Sequence, residues 1–204
     1  MAIAGRTKQE VVSEYRCAEI LSAARTVFAT KGFADATVDD IAAAAGIAKG
    51  TIYLYFSSKR DIYLAALKQG LTELQERTRV SMAAATGIRA KLRAFVRTRL
   101  EYAETNRDFI RIYHSEFGNL TNAAACHGEF QQLYLKQAKT LETVLQNSVT
   151  TGELPSLRVD FAAFFIYDMV KGVMMQRLLE WSTGTMEEDI ELLSQLLWKG
   201  LGAL

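Results

Sequence analysis

A short segment in the first third of the chain carries the side chains best suited to contact DNA. Between Ile41 and Arg60 there is no Asp or Glu, and Lys49, Lys59 and Arg60 are the only charged residues. Glycine, threonine and two tyrosines lie among them. Basic and hydroxyl side chains bind phosphates and base edges, whereas carboxylates repel phosphates, so this composition is typical of a surface that faces DNA.

The same segment has the spacing of a helix-turn-helix. Two helices that cross steeply through a short turn need a small residue in the first helix, glycine in the turn and an apolar residue in the second. Ala42, Gly46 and Ile52 meet these three needs. We therefore predict a helix-turn-helix over residues 37–56.

Two local signals mark where helices begin. Thr37 lies three residues before Asp40, which is the pattern of a capping box, and Ser58 stands in the same relation to Asp61. The first box predicts the start of the first motif helix. The second predicts a long helix that begins just after the motif.

The second motif helix offers several side chains to DNA. Lys49 can reach a guanine edge or a phosphate, Gly50 lets the backbone approach closely, and Thr51 can present its hydroxyl or its methyl group to bases. Tyr53 and Tyr55 are two residues apart and hence lie on different sides of a helix. One of the two tyrosines can contact DNA while the other packs, and periodicity does not tell which.

Lys59 lies beside the predicted cap of the next helix, where the positive end of the helix dipole also attracts anions. We therefore predict that Lys59 pairs with a DNA phosphate. The formal net charge of the whole chain is only +1, which argues against indiscriminate binding to nucleic acid.

Helix-forming residues dominate the whole chain, and Pro155 is the only proline. We predict an all-α protein with about nine helices. The predicted organisation is a DNA-binding domain over residues 14–74 and a larger helical domain over residues 75–204. The predicted helices cover about 10–31, 37–45, 48–56, 58 to beyond 74, a stretch that ends near 105, 107–117, a stretch from about 122 to 150, 160–181 and 186–200.

Several other classes of protein find little support. There is no signal sequence and no long apolar run, so we expect a cytoplasmic protein without a membrane segment. No nucleophile elbow, phosphate loop or metalloprotease pattern occurs, so we do not expect an enzyme. The alternative is an enzyme that uses His114 or His127 as base and Cys126 or a serine as nucleophile. No cofactor is predicted.

Four residues of the second half of the chain have side chains that could form a metal or thiol sensor. They are Cys126, His127, His114 and Glu129. Cys126 and His127 are adjacent, so on a helix their side chains point roughly 100° apart and cannot easily bind one ion. We therefore predict no metal site.

The run from Gly46 to Lys59, preceded by residues 28–32 and 37–45, closely resembles the DNA-binding domain of the tetracycline-repressor (TetR) family. The resemblance covers about residues 14–74. It implies a two-domain, all-helical homodimer whose variable C-terminal domain binds an effector. Leu54 departs from the family, because many members have histidine there. The resemblance places DNA contacts at Thr37, Lys49, Gly50, Thr51, Tyr53, Tyr55 and Lys59.

The second half is rich in aromatic and methionine side chains, which suits an adaptable apolar pocket. For any one of these residues, an ordinary core or a dimer contact is the simpler explanation. The candidate pocket residues are Phe109, Tyr113, His114, Phe117, Phe130, Tyr134, Phe165, Met174 and Trp181.

The family layout implies that the last two helices pair with their copies in a four-helix dimer interface, and the apolar spacing agrees with it. The residues that support this interface are Val170, Gly172, Val173, Leu178, Leu193, Leu197 and Leu201.

The leading hypothesis is a repressor that leaves a palindromic double-stranded operator when a mostly apolar effector binds. The alternative is a DNA-binding regulator or an architectural DNA binder without an effector.

Overall fold

The computed structural model describes residues 7–118 and 127–202, without the side chains of residues 117 and 127. These residues form nine α-helices and no strand, so the prediction of an all-α fold is confirmed. The predicted helix residues 122–126 lie outside the described part. The helices are α1 (Lys8–Asp35), α2 (Val38–Ala45), α3 (Lys49–Ile52), α4 (Lys59–Ala84), α5 (Ile88–Thr105), α6 (Arg107–Gly118), α7 (His127–Thr150), α8 (Val159–Leu178) and α9 (Met186–Gly202).

The first helices share a small apolar core. α1 packs against both α2 and α4. Its buried residues Ile20, Ala24 and Phe28 belong to one cluster with Ile41 of α2 and Ile52 of α3. Ile52 is fully buried, so a single side chain fixes the short α3 against the rest of this unit.

The turn between α2 and α3 has the predicted geometry. Gly46 ends α2 in the left-handed conformation, with φ 65° and ψ 31°, where a side chain would be strained. The amide of Ile47 then donates to the carbonyl of Ala42 at 3.0 Å. This pattern closes the C-terminus of α2 and turns the chain into α3.

A capping box begins α2 as predicted. The Thr37 hydroxyl accepts from the Asp40 amide at 3.1 Å, and the Asp40 carboxylate accepts from the Thr37 amide at 3.0 Å. Lys31 also donates to this carboxylate at 2.7 Å. The hydrogen bond from Lys31, and to a smaller extent those from Thr37, lower the pKa of Asp40 to about 2. The carboxylate is therefore ionised at neutral pH and holds the start of the motif.

The predicted second motif helix is too long. The α-helix covers only residues 49–52, and residues 53–55 continue as tight turns, in which the Tyr55 amide donates to the Ile52 carbonyl at 2.9 Å. The following α4 begins at the predicted cap, because the Ser58 hydroxyl accepts from the Asp61 amide at 3.1 Å. α4 then runs without a break past residue 74, where the sequence divides the two predicted domains.

The remaining helices surround the second half of α4. α5 packs against α4, α8 and α9, while α7 packs against α4 and α8. The ring of Phe109 in α6 lies directly on the α4 backbone at Gly70, since a Cβ on this glycine would be 2.3 Å from the ring. None of the described helices combines the length and the apolar character needed to cross a membrane.

Leu193, Leu197 and Leu201 do not form an outer face of α9, which corrects one part of the predicted dimer surface. Together with Val170 of α8 they are buried in the core of the protomer. The reason is that α9 packs along α5, and this neighbour takes the stripe that the sequence offered to a second copy.

Gly70→Ala is expected to lower the free energy of unfolding by about 1–3 kcal/mol, because the buried Phe109 ring has to move away from α4. Thermal or urea unfolding of the purified protein measures the change. Gly50→Ala is the matched control, since a Cβ there meets nothing within 4 Å. Equal stability of the two variants would contradict the proposed close contact.

Candidate nucleic-acid interface and C-terminal core

The short α3 presents one side to solvent. Lys49, Gly50 and Tyr53 are exposed, Thr51 is half-buried and Ile52 points into the core. A Cβ on Gly50 would meet open space, so nothing in the protomer covers the backbone there. The predicted base-reading residues therefore share one accessible end of the motif, as contact with a DNA groove requires.

The two tyrosines of the motif take different roles. Tyr53 is exposed, whereas Tyr55 is half-buried and packs against the hydrophobic core. Leu54 between them is 79% exposed. Tyr53 is hence the tyrosine that remains available to DNA, while Tyr55 is only partly accessible.

An acidic residue of α2 holds the basic residue of α3. The Asp39 carboxylate accepts from Lys49 Nζ at 2.7 Å, and both side chains are exposed. This hydrogen bond is the main cause of the raised pKa of Lys49. Asp39 lies just before the acid-free stretch in the sequence, so the sequence pattern alone did not predict its contact with Lys49.

Lys59 has a structural environment that the sequence did not indicate. Its Nζ donates to the backbone carbonyls of Phe33, Ala34 and Ala36 at 2.7, 3.1 and 2.8 Å. It also lies 4.6 Å from the centroid of the Phe33 ring. Lys59 thus satisfies carbonyls at the C-terminal end of α1. A phosphate contact, as predicted for this residue, requires that some of these bonds be exchanged.

Most of the predicted pocket residues meet in the C-terminal core. Met174 and four residues from α6 and α7 are buried there, and Tyr134 is half-buried. The side chain of Phe117 lies outside the described part of the structure. The four buried residues are Phe109, Tyr113, His114 and Phe130.

Phe165 and Trp181 do not belong to this core, which corrects the prediction. Phe165 is 57% exposed and Trp181 is 71% exposed. Phe165 lies on an exposed side of α8, where its ring stacks on that of Phe161. Trp181 follows the end of the helix, because α8 stops at Leu178 rather than at the predicted residue 181.

Polar side chains run through the aromatic core. Arg99 of α5 donates to the Tyr167 hydroxyl at 2.8 Å, and the Tyr113 and Tyr167 hydroxyls are 3.2 Å apart. Burial lowers the pKa of His114 to about 4, so this imidazole is neutral at pH 7. Arg99 lies on α5, outside the aromatic-rich stretches from which the pocket was predicted, whereas Tyr167 lies within them but is not among the nine candidate pocket residues.

Comparison with known proteins identifies the family. Residues 20–66 match the family described as bacterial regulatory proteins, tetR family, and residues 85–175 match the one described as tetracyclin repressor-like, C-terminal domain. The HTH-type transcriptional repressor KstR2 of Rhodococcus jostii (strain RHA1) is 32% identical over 160 residues, which cover 75% of this chain and 75% of the relative. The chain belongs to the TetR family.

Solved structures of the TetR fold agree over nearly the whole length. The fatty acid degradation regulator FadR from Bacillus halodurans superimposes with a TM-score of 0.82 at 22% identity, covering 91% of this chain and 96% of the neighbour. FadR from Bacillus subtilis, solved in complex with stearoyl-CoA, gives a TM-score of 0.77 at 23% identity and covers 88% and 96%. These likenesses show the fold.

Membership of the TetR family makes this chain a DNA-binding transcriptional regulator. The family consists of regulators rather than enzymes, in agreement with the sequence prediction. Among the described residues, no three His, Cys, Asp or Glu side chains form a metal-binding group. Cys126 and the side chain of His127 lie outside this part, and Glu129 pairs with Arg60 at 2.6 Å.

Asp39→Asn is expected to raise the affinity for any DNA sequence roughly two- to fivefold at low salt, because it removes a negative charge that occupies Lys49. Fluorescence anisotropy with random duplex DNA over a series of salt concentrations measures this. The matched control is Glu76→Gln, which breaks a similar exposed pair with Arg79, about 25 Å along α4 from its start. An unchanged affinity of the Asp39 variant would show that Lys49 does not face DNA.

Proposed function

We propose that this TetR-family chain acts in the cytoplasm as a homodimeric repressor, which binds a palindromic operator and is released by a mostly apolar, acyl-type effector. The observation that carries the proposal is the position of α6. This one helix contributes side chains to the aromatic core and also bonds to the DNA-binding helices. A ligand in the core can therefore act on the motif through direct contacts.

The bonds from α6 reach both long helices of the DNA-binding unit. The Tyr63 hydroxyl of α4 donates to the Glu116 carboxylate at 2.6 Å, and the Thr26 hydroxyl of α1 donates to the Asp108 carboxylate at 3.0 Å. Phe109 and Tyr113, on the same α6, lie in the aromatic core. A shift of α6 would hence move α1 and α4 together, and with them α3, the second helix of the motif.

The proposed effector class has two supports. The core offers aromatic rings and Met174, which suit an apolar body of variable shape. Two structural neighbours are described as FadR regulators, and one of them was solved with stearoyl-CoA. An acyl chain therefore fits both the chemistry of this core and the ligand of that one neighbour.

An apolar surface on the last two helices supports the proposed dimer. Phe161 and Phe165 of α8 stack on each other, and Leu192 and Leu196 of α9 are exposed beside them. The groove between the two helices has a volume of about 260 Å³ and is lined mostly by apolar side chains. Such a contiguous apolar surface is rare on a monomer, and two copies would bury it in a four-helix contact.

Phe165→Glu is expected to convert the dimer into a monomer and to weaken operator binding by more than tenfold, because only a dimer gains from both half-sites. Sedimentation velocity measures the oligomeric state, and a gel-shift assay measures DNA binding. The matched control is Leu135→Glu, which places a charge at an exposed leucine of α7. A Phe165 variant that remains dimeric would refute this interface.

The operator is accessible to direct selection from random duplex DNA. We expect the selected sites to be palindromic, and either stearate or stearoyl-CoA to lower the affinity for them by about 5- to 150-fold, the usual range of coupling between two sites. Coenzyme A alone is the control and should have no effect. Selection of palindromes without an effect of either acyl compound would favour the alternative regulator that has no such effector.

A further inference from the structure

Arg99 and Glu116 are the two most deeply buried charged residues among those that the structure describes. Arg99 is 2% exposed, and its guanidinium carbon lies 4.3 Å from the ring centroid of Tyr167 and 5.2 Å from that of Phe95. One of its nitrogens donates to the Tyr167 hydroxyl at 2.8 Å. Its guanidinium therefore contacts two aromatic rings and one phenol hydroxyl.

The charge of Arg99 has no counterion in the part of the chain that the structure describes. None of the ion pairs formed by these residues involves Arg99, and its Nε is buried without a hydrogen-bond partner. The segment 119–126, outside the described part, contains no Asp or Glu in its sequence. By contrast, Arg177 near the other end of the domain pairs with Asp189 at 2.6 Å.

An arginine remains charged in proteins, so Arg99 cannot relieve its burial by losing a proton. A buried charge without a partner is strongly unfavourable, which makes Arg99 a candidate for a functional site. The free Nε and the planar fork of the guanidinium are donors suited to two oxygens of one anion.

The neighbouring hydroxyls extend the same donor set. The Tyr113 hydroxyl lies 3.2 Å from that of Tyr167, so one guanidinium and two phenols line one side of the core. The third nearby phenol, Tyr134, is bonded instead to the exposed Asp168, which is also paired with Lys171 at 2.7 Å. These donors can satisfy the two oxygens of a carboxylate and neutralise its single charge, whereas a phosphate would bring more oxygens and more charge than they match.

We propose that Arg99, supported by Tyr167, binds the carboxylate of the effector, whose apolar chain lies among the aromatic side chains of α6 and α7. The inference rests on the proposed function, because it names the polar end of the effector that this core would bind. The ligand class is thus an apolar chain that carries a free carboxylate at its buried end. Its neutral esters lack the charge that Arg99 requires.

Dodecanoate and methyl dodecanoate are the probes, and isothermal titration calorimetry with the purified full chain measures their binding without DNA. We expect dodecanoate to bind about tenfold more tightly or better, as a hydrogen-bonded charge pair provides. Arg99→Met should remove this preference and leave the binding of the ester unchanged. Arg89→Met, at an exposed arginine of the same α5, is the matched control and should retain the preference.

A second variant covers the case in which Arg99→Met fails to fold. Tyr167→Phe keeps the ring beside the guanidinium and removes only the hydroxyl, so the preference for dodecanoate should fall several-fold. Equal binding of acid and ester to the unmodified protein would overturn the role of Arg99 while the proposed apolar effector stands. Binding of neither probe would overturn both the role of Arg99 and the acyl-type effector.

Discussion

The contact between the Phe109 ring and the α4 backbone at Gly70 sets the distance between the two functional halves of the molecule. Because Gly70 has no side chain, α6 approaches α4 closely enough for Tyr63 to bond to Glu116. The same approach brings Asp108 to Thr26 of α1. A bulkier residue at position 70 would separate the aromatic core from the helices that carry the DNA-reading motif.

Much of the DNA-binding unit could be predicted from the sequence, because its signals are local. The Thr37 cap and the left-handed Gly46 depend on residues only a few positions away, and the position of Ile52 follows from the spacing of the motif. Their combination determines both the turn and the accessible side of α3. The length of α3 was overestimated, since apolar spacing does not distinguish an α-helix from the tight turns at residues 53–55.

The errors concern interactions between distant parts of the chain. An apolar residue on a helix can face the protomer core or a partner, and only the neighbouring helix decides, as Leu193 and Phe165 show in opposite directions. Lys59 was assigned to phosphate because its carbonyl partners lie more than twenty residues away in sequence. That Arg99 has no counterion among the described residues is likewise apparent only from its buried position in the structure.

The uninterrupted α4 has a consequence for how such regulators diverge. Tyr63 and Gly70 are seven residues apart, so two helical turns place them on nearly the same side of α4. Inserting one residue between them would rotate one contact by about 100° relative to the other, although each domain could still fold. The effector-binding core and the DNA-binding helices are thus held at a fixed rotation about the axis of α4. The residues of the core can change with the ligand, but the number of residues between Tyr63 and Gly70 cannot.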